Sequence, residues 1–250
     1  MLVEGIKMGQ KSKVVPQYMQ YLRQLSDFET LTDEEANLLM NNMSIKSFQK
    51  GQVLFDETDQ RSRFYFLIEG VIRVERFDID GDFGFFSYIK NDLGFPYRGL
   101  LSDKNYPYLA RAMTDIQIVY FPMALVERIL KQNILMATRA LTEMSTILSA
   151  TENQVQRMVT SSAHNRIVQA INILAEQLGA DFTQKHVIIP YRVTIKELAL
   201  VSGTTRETTG QVIKCLAKHD ELIFERQQLT LLEGWFADQS FDRQERIFKL

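Results

Sequence analysis

The hydrophobic pattern of this chain changes period near Pro122, and that change limits what it can fold into. Between residues 44 and 122 the apolar residues fall in short β-branched or aromatic runs: Val53-Leu54-Phe55, Phe64 to Ile68, Val71 to Val74, Phe83 to Tyr88 and Ile116 to Phe121. Glycines at 51, 70, 81 and 94 punctuate these runs, and Asp80-Gly81 is a hairpin-turn signal. Short strands so spaced predict an all-β barrel or sandwich. After Pro122 the period becomes helical. Ile134, Leu141, Leu148 and Val155 fall seven apart, and so do Ala137, Met144, Thr151 and Met158. Seven of these eight residues are apolar, which makes an a/d seam of about four heptads. One helix of that length measures roughly 40 Å at about 1.5 Å per residue. A stripe so long and regular predicts pairing with a copy in a second chain rather than packing on its own domain.

The flanking segments are helical too. Residues 16 to 43 place acidic and apolar residues at helical spacing, with Thr32 and Glu35 set three apart as a capping box. His164 to Leu178 reads as an amphipathic helix closed by Gly179, and Val187-Ile188-Ile189 as a strand stopped by Pro190. The expected organisation is an α+β chain. Residues 1–122 hold N-terminal helices and the β-barrel, 123–161 the dimer helix, 162–233 a C-terminal domain of helices and short strands, and 234–250 an extension. That extension carries Trp235, Phe236, Phe241, Ile247 and Phe248 and is expected as a further helix on the wing or the partner.

Composition excludes several classes. Cys215 is the one cysteine of 250 residues, so an intrachain disulfide, an iron–sulfur cluster or a cysteine zinc site is not expected, which fits a reducing cytoplasm. No apolar run approaches the roughly 20 residues that cross a bilayer, and the N-terminal segment lacks the apolar stretch of a signal peptide. A net charge of −2 argues against a general polyanion binder, so any nucleic-acid contact must come from a local basic face.

That face is sought in VTIKELALVSGTTRETTGQVIKCLAK, residues 193 to 218. Thr194 and Glu197 form a capping box that starts a helix with Ile195, Leu198 and Ala199 turned inward. Ser202-Gly203-Thr204 breaks it, and Thr205 caps a second helix. That helix carries Arg206, Glu207, Gln211 and Lys214 on one side and Val212, Ile213 and Leu216 on the other. Leu222 to Phe224 and Leu229 to Leu231 then make a two-stranded wing. Five basic residues stand against two acidic ones between 192 and 218.

This segment resembles the helix-turn-helix of the Crp/Fnr family of bacterial transcription regulators. The match falls on Thr194, Glu197, Leu198, Ala199, Gly203, Thr205, Arg206, Glu207 and Thr208. Gly51 with Leu54, the Tyr65 to Val74 run around Gly70, and Asp80-Gly81 resemble the family's jelly-roll, cyclic-nucleotide-binding-like domain, and the heptad helix resembles its dimerisation helix. The resemblance implies a homodimer on double-stranded DNA, with RNA polymerase as a further partner. It also implies contacts from Thr194, Thr205, Arg206, Glu207, Thr208, Gln211 and Lys214. Arginine pairs with guanine O6 and N7, glutamate accepts from cytosine N4, and glutamine suits adenine. Many relatives carry arginine where this chain has Gln211, which predicts an altered half-site, and an apolar residue is usual where it has Thr209. Cys215 is expected as a small buried hydrophobe.

The sensor chemistry of the family is not reproduced. Its cyclic-AMP-binding members hold the phosphate with a glutamate, an arginine and a serine after a glycine. Here Phe95 replaces the acid, and Tyr106-Pro107 replace the arginine–serine pair. Residues 1 to 160 contain no cysteine, and His164, His186 and His219 all follow the barrel, so iron–sulfur and haem sensing are not expected and no cofactor or metal is implied. Tyr97, Arg98, Tyr108 and Arg111 remain as a candidate pocket for an unknown small anionic effector; the alternative is a barrel that binds no small molecule. No nucleophile–base pair or phosphate-cradling glycine loop suggests an enzyme. The missing sensor residues resemble regulators of Gram-positive bacteria, including those of arginine catabolism.

Overall fold

The computed structural model describes residues 11–25, 28–77, 84–159, 162–178, 186–233 and 235. Asp80-Gly81, Gly179 and the extension other than Trp235 lie outside the described residues. Two compact units are present, residues 1–74 with 89–152, and residues 75–88 with 153–250.

The first unit opens with α1 (Lys11–Leu22) and α2 (Asp33–Asn42). The predicted capping box starts α2: the Glu35 amide donates to Thr32 Oγ1 at 3.2 Å and the Thr32 amide to Glu35 Oε2 at 2.9 Å. Eight strands follow along the chain, of which β4 and β5 include residues of the 75–88 segment counted with the second unit: β1 (Ser44–Phe48), β2 (Val53–Phe55), β3 (Arg63–Glu69), β4 (Ile72–Phe77), β5 (Gly84–Ile89), β6 (Leu93–Phe95), β7 (Leu109–Ala112) and β8 (Ile116–Pro122). They form two four-stranded sheets, ordered β1-β8-β3-β6 and β2-β7-β4-β5. The expected barrel is therefore the jelly-roll form, two sheets rather than one closed wall.

Strand β3 shows why its sequence is a continuous apolar run instead of an alternation. Tyr65 and Leu67 join a core between the sheets with Phe55, Ile72, Val74, Ile116 and Ile118. Phe64 and Phe66 face the other way, into a second core with Phe28, Leu39, Val119, Phe121 and Ile129. Successive residues of a strand point to opposite faces, so a strand covered on both sides needs apolar residues at both parities. Gly70 is required by its neighbours. Its φ is +99°, and a Cβ there would lie 2.6 Å from Thr114 Oγ1.

Strands β1, β6 and β7 were not predicted. SIKSF and LARA contain few strong strand formers, and β6 has three residues. Pairing decides them: β1 runs antiparallel to β8 from Ser44 opposite Tyr120 to Phe48 opposite Ile116.

The 123–161 segment is two helices, not one. Helix α3 (Met123–Gln132) ends at Asn133, and α4 runs from Ile134 to Val159. Asn133 leaves the helical region at φ −102° and ψ 101°. Its Nδ2 donates to the Thr30 carbonyl at 3.0 Å and to Glu35 at 2.8 Å, while its Oδ1 accepts from the Met136 amide at 3.0 Å. Thus α3 belongs to the core of the first unit, where Val126, Ile129 and Leu130 are buried. Among the described residues no helix is long and apolar enough to cross a membrane.

The second unit contains α5 (Ala163–Gln177), β9 (Val187–Ile188), α6 (Ile195–Ser202), α7 (Arg206–Lys218), β10 (Leu222–Glu225) and β11 (Gln228–Leu231). The wing has three strands where two were expected, because β9 pairs with β11 through Ile188 opposite Thr230 and Val187 opposite Leu231. Arg226 and Gln227, at φ 49° and 66°, form the two-residue turn between β10 and β11. Trp235 is buried, and its Nε1 donates to Asn172 Oδ1 on α5 at 3.1 Å.

Candidate nucleic-acid interface

Helices α6 and α7 are joined by a turn whose polar groups are accounted for. Thr194 Oγ1 caps α6 by accepting from the Glu197 amide at 3.1 Å. The helix ends at Gly203, left-handed at φ 58°, with the Thr204 amide donating to the Ala199 carbonyl at 2.9 Å. Arg166 of α5 holds the same end, its Nε donating to the Ser202 carbonyl at 3.0 Å and Nη2 to the Gly203 carbonyl at 3.3 Å. A cation there also meets the negative end of the helix dipole. Thr205 Oγ1 then caps α7 by accepting from the Thr208 amide at 3.1 Å.

With both ends fixed, α7 has two distinct faces. Thr209, Ile213 and Leu216 are buried. Arg206, Glu207, Gln211 and Lys214 are exposed, and Thr208 is half-buried with its hydroxyl 3.0 Å from that of Thr205. All seven residues expected to meet DNA thus lie on or next to α6 and α7, with the four long side chains together on the solvent side. The charge of this face is more basic than the sequence count suggests. Arg192, Lys196, Arg206, Lys214 and Lys218 are exposed, whereas Glu197 is buried and Glu207 remains exposed.

The placement of Cys215 corrects the sequence expectation, because it is exposed. Helix geometry gives the reason: at 3.6 residues per turn, position 215 lies on the far side from the buried Ile213. Its Sγ is 3.7 Å from Nδ1 of His219, one turn further on.

Glu197 departs from its expected role in a different way. Its Oε1 accepts from the hydroxyls of Tyr88 and Tyr191, each at 2.8 Å, in a buried cluster. The Tyr88 amide also donates to Gln177 Oε1 at 2.8 Å. Burial, then the neighbouring Tyr88 and Glu197, pushes the Tyr191 phenol well above the usual tyrosine range. Sequence reading missed this cluster and Arg166, since Tyr88 and Arg166 stand far from the motif in the chain.

The inner core of the β-rich unit is filled by rings. Phe55 stacks on Tyr106 with centroids 3.8 Å apart and on Tyr65 at 5.3 Å, and Tyr65 stacks on Phe95 at 5.4 Å. The Tyr106 hydroxyl accepts from the Arg63 amide at 3.1 Å and donates to the Arg63 carbonyl at 3.2 Å. Phe95 and Tyr106, two of the three residues expected in place of the phosphate-binding ones, are therefore parts of one aromatic stack.

The four candidate effector residues are not gathered in one place. Tyr108 packs against the aromatic core, and burial pushes its phenol up while the nearby charge of Arg98 draws it back. Arg98 itself is exposed. Tyr97 lies in the helix-side core, edge-on to Phe64 at 5.5 Å. Ala110 and Ala112 face the inner core, so Arg111 between them points outward, where Nη1 donates to the Gly51 carbonyl at 3.1 Å.

On α4 the heptad residues stand open in the single chain. Ile134 is 76% exposed, Leu141 66%, Leu148 58% and Val155 53%. Met144 is exposed as well, and Thr151 and Met158 are half-buried, with the Thr151 hydroxyl donating to the Ile147 carbonyl at 2.8 Å.

Comparison with known proteins agrees with this architecture. Residues 45–133 match the cyclic nucleotide-binding domain family. The chain is similar to the HTH-type transcriptional regulator ArcR of Staphylococcus aureus, 27% identical over 231 residues that cover 89% of this chain and 92% of the relative. ArcR of Staphylococcus epidermidis is 25% identical over 185 residues, 72% of this chain and 78% of that one. Among solved structures, FixK2 from Bradyrhizobium japonicum superposes with a TM-score of 0.65 at 16% identity, covering 78% of this chain and 96% of that one. A CRP-family regulator from Thermus thermophilus gives 0.62 at 19% identity, over 78% and 96% of the two chains. The chain thus holds a match to the cyclic nucleotide-binding domain family at residues 45–133, is similar along most of its length to regulators named HTH-type, and shares its fold with a solved regulator of the CRP family.

Proposed function

We propose that the chain is a sequence-specific transcription regulator that binds a pseudo-palindromic DNA site as a homodimer. The observation that carries this reading is the face of α7, where Arg206, Glu207, Gln211 and Lys214 are exposed on a helix capped at its start and preceded by a turn that Arg166 holds. An arginine and a glutamate side by side at the start of a reading helix address adjacent base pairs, the arginine through guanine and the glutamate through cytosine. Gln211, one turn on, suits adenine. Lys214, the starts of α6 and α7 at Thr194 and Thr205, and Arg226 at the wing tip are suited to phosphate, which positions the protein without specifying sequence. The exposed apolar stripe of α4 joins two copies, and twofold symmetry then sets half-sites about 34 Å apart. The staphylococcal relatives named as HTH-type regulators support the same reading. It is tested by selecting duplexes from a random pool and measuring fluorescence anisotropy. The selected site should be a pseudo-palindrome bound about a thousandfold more tightly than its scrambled version at equal salt. Equal affinity for both sinks it.

Effector control belongs to this proposal in a narrower form. An anionic effector would be met by Arg98 beside Tyr108, because Arg111 points outward and Tyr97 lies in the other core. Native mass spectrometry of protein purified without added ligand should then show a small bound anion that disappears in Arg98→Ala and persists in Arg111→Ala. The second reading, a barrel that binds nothing, is favoured by the aromatic stack that fills its interior. It requires the unliganded mass for all three proteins.

A further inference from the structure

Three hydroxyls stand in a row inside the turn between α6 and α7. Ser202 Oγ lies 2.7 Å from the Leu198 carbonyl oxygen and 2.7 Å from Thr204 Oγ1. Thr204 Oγ1 lies 2.9 Å from Thr209 Oγ1, which in turn lies 2.9 Å from the Thr205 carbonyl oxygen. Ser202 is 1% exposed and Thr209 0%. Ser202 Oγ also lies 3.3 Å from the Ala199 carbonyl oxygen. Three hydroxyl protons make three hydrogen bonds at a time, and a carbonyl only accepts. Two relays use all three protons: Thr209 to Thr204 to Ser202 to the Leu198 carbonyl, or Ser202 to Thr204 to Thr209 to the Thr205 carbonyl. In each of them Thr204 accepts from one neighbour and donates to the other. Its hydroxyl is the link between one group fixed to the end of α6 and another fixed to the start of α7.

We propose that Thr204 is a positioning residue for DNA reading: its hydroxyl bridges Ser202 and Thr209 and so sets the angle at which α7 presents Arg206 and Glu207. This rests on the DNA-reading function proposed above. A hydrogen bond is directional where an apolar contact is not. Thr209 thereby gains a purpose that its departure from the usual apolar residue left unexplained.

The proton count also supplies a clean test. Thr204→Val removes the bridge, yet Ser202 and Thr209 keep their carbonyl acceptors. No buried hydroxyl proton is stranded, so the melting temperature should stay near that of the wild type. Two measurements on the full chain then decide. Without DNA, amide hydrogen exchange at Thr208 and Thr209 should rise about tenfold in Thr204→Val and stay at the wild-type rate in Thr204→Ser. With DNA, the ratio of affinities for a duplex selected by the wild-type chain and for its scrambled version should fall about five- to tenfold in Thr204→Val, and recover in Thr204→Ser. A wild type that selects no sequence defeats the DNA-reading function, and the exchange rates still judge the bridge. Unchanged exchange overturns the inference, as does an unchanged ratio in a wild type that selects.

Discussion

A chain carrying Leu141→Asp and Leu148→Asp is expected to sediment as a monomer and to lose specific DNA affinity about a hundredfold or more. Both leucines are more than half exposed in the single chain, so the changes remove little from the fold of one copy. Their effect falls on the seam. Each leucine that becomes fully buried between two helices contributes about 1.5–3 kcal/mol, and the twofold axis counts every residue twice. Aspartates on both strands of a seam replace that burial with like charges drawn out of water. DNA affinity follows because a dimer delivers its second reading helix at a high effective concentration, whereas a monomer must bind each half-site alone. Analytical ultracentrifugation and anisotropy on one preparation check both halves. A variant that remains dimeric at micromolar concentration would show that α4 is not the dimer seam.

Arg206→Ala should weaken binding to the selected site by about 10- to 100-fold, the 1–3 kcal/mol expected of a bidentate arginine–guanine contact. Binding to scrambled DNA should change much less, because the basic residues Arg192, Lys196, Lys214 and Lys218 remain exposed. The loss should also relax the base requirement at one position of each half-site. Gln211→Arg gives the complementary result, with preference at its base pair moving toward guanine. If Arg206→Ala weakened specific and scrambled binding equally, Arg206 would be a phosphate contact, and base reading would have to be assigned elsewhere on α7.

The local features were legible in the sequence because each depends on a few neighbouring residues. The heptad spacing of α4, the capping threonines 32, 194 and 205, and the turn at Gly203 follow from helix period and from backbone groups within three or four positions. From these alone came the exposed apolar stripe of α4 and the face of α7. Other features were set by residues distant in the chain. SIKSF becomes a strand because β8 offers it a partner, and Glu197 is buried because two tyrosine hydroxyls reach it, one of them 109 residues away. Composition suggested a buried Cys215, but the packing of Ile213 and Leu216 turned it to solvent. The candidate pocket was separated by the two faces of the sheets, which sent Tyr97 to one core and Tyr108 to the other and turned Arg111 outward. What the sequence by itself determined was local geometry and the faces that it exposes. What only the tertiary structure decided was which distant side chains share a space, because burial and hydrogen-bond partners are properties of the packed chain rather than of any segment of it.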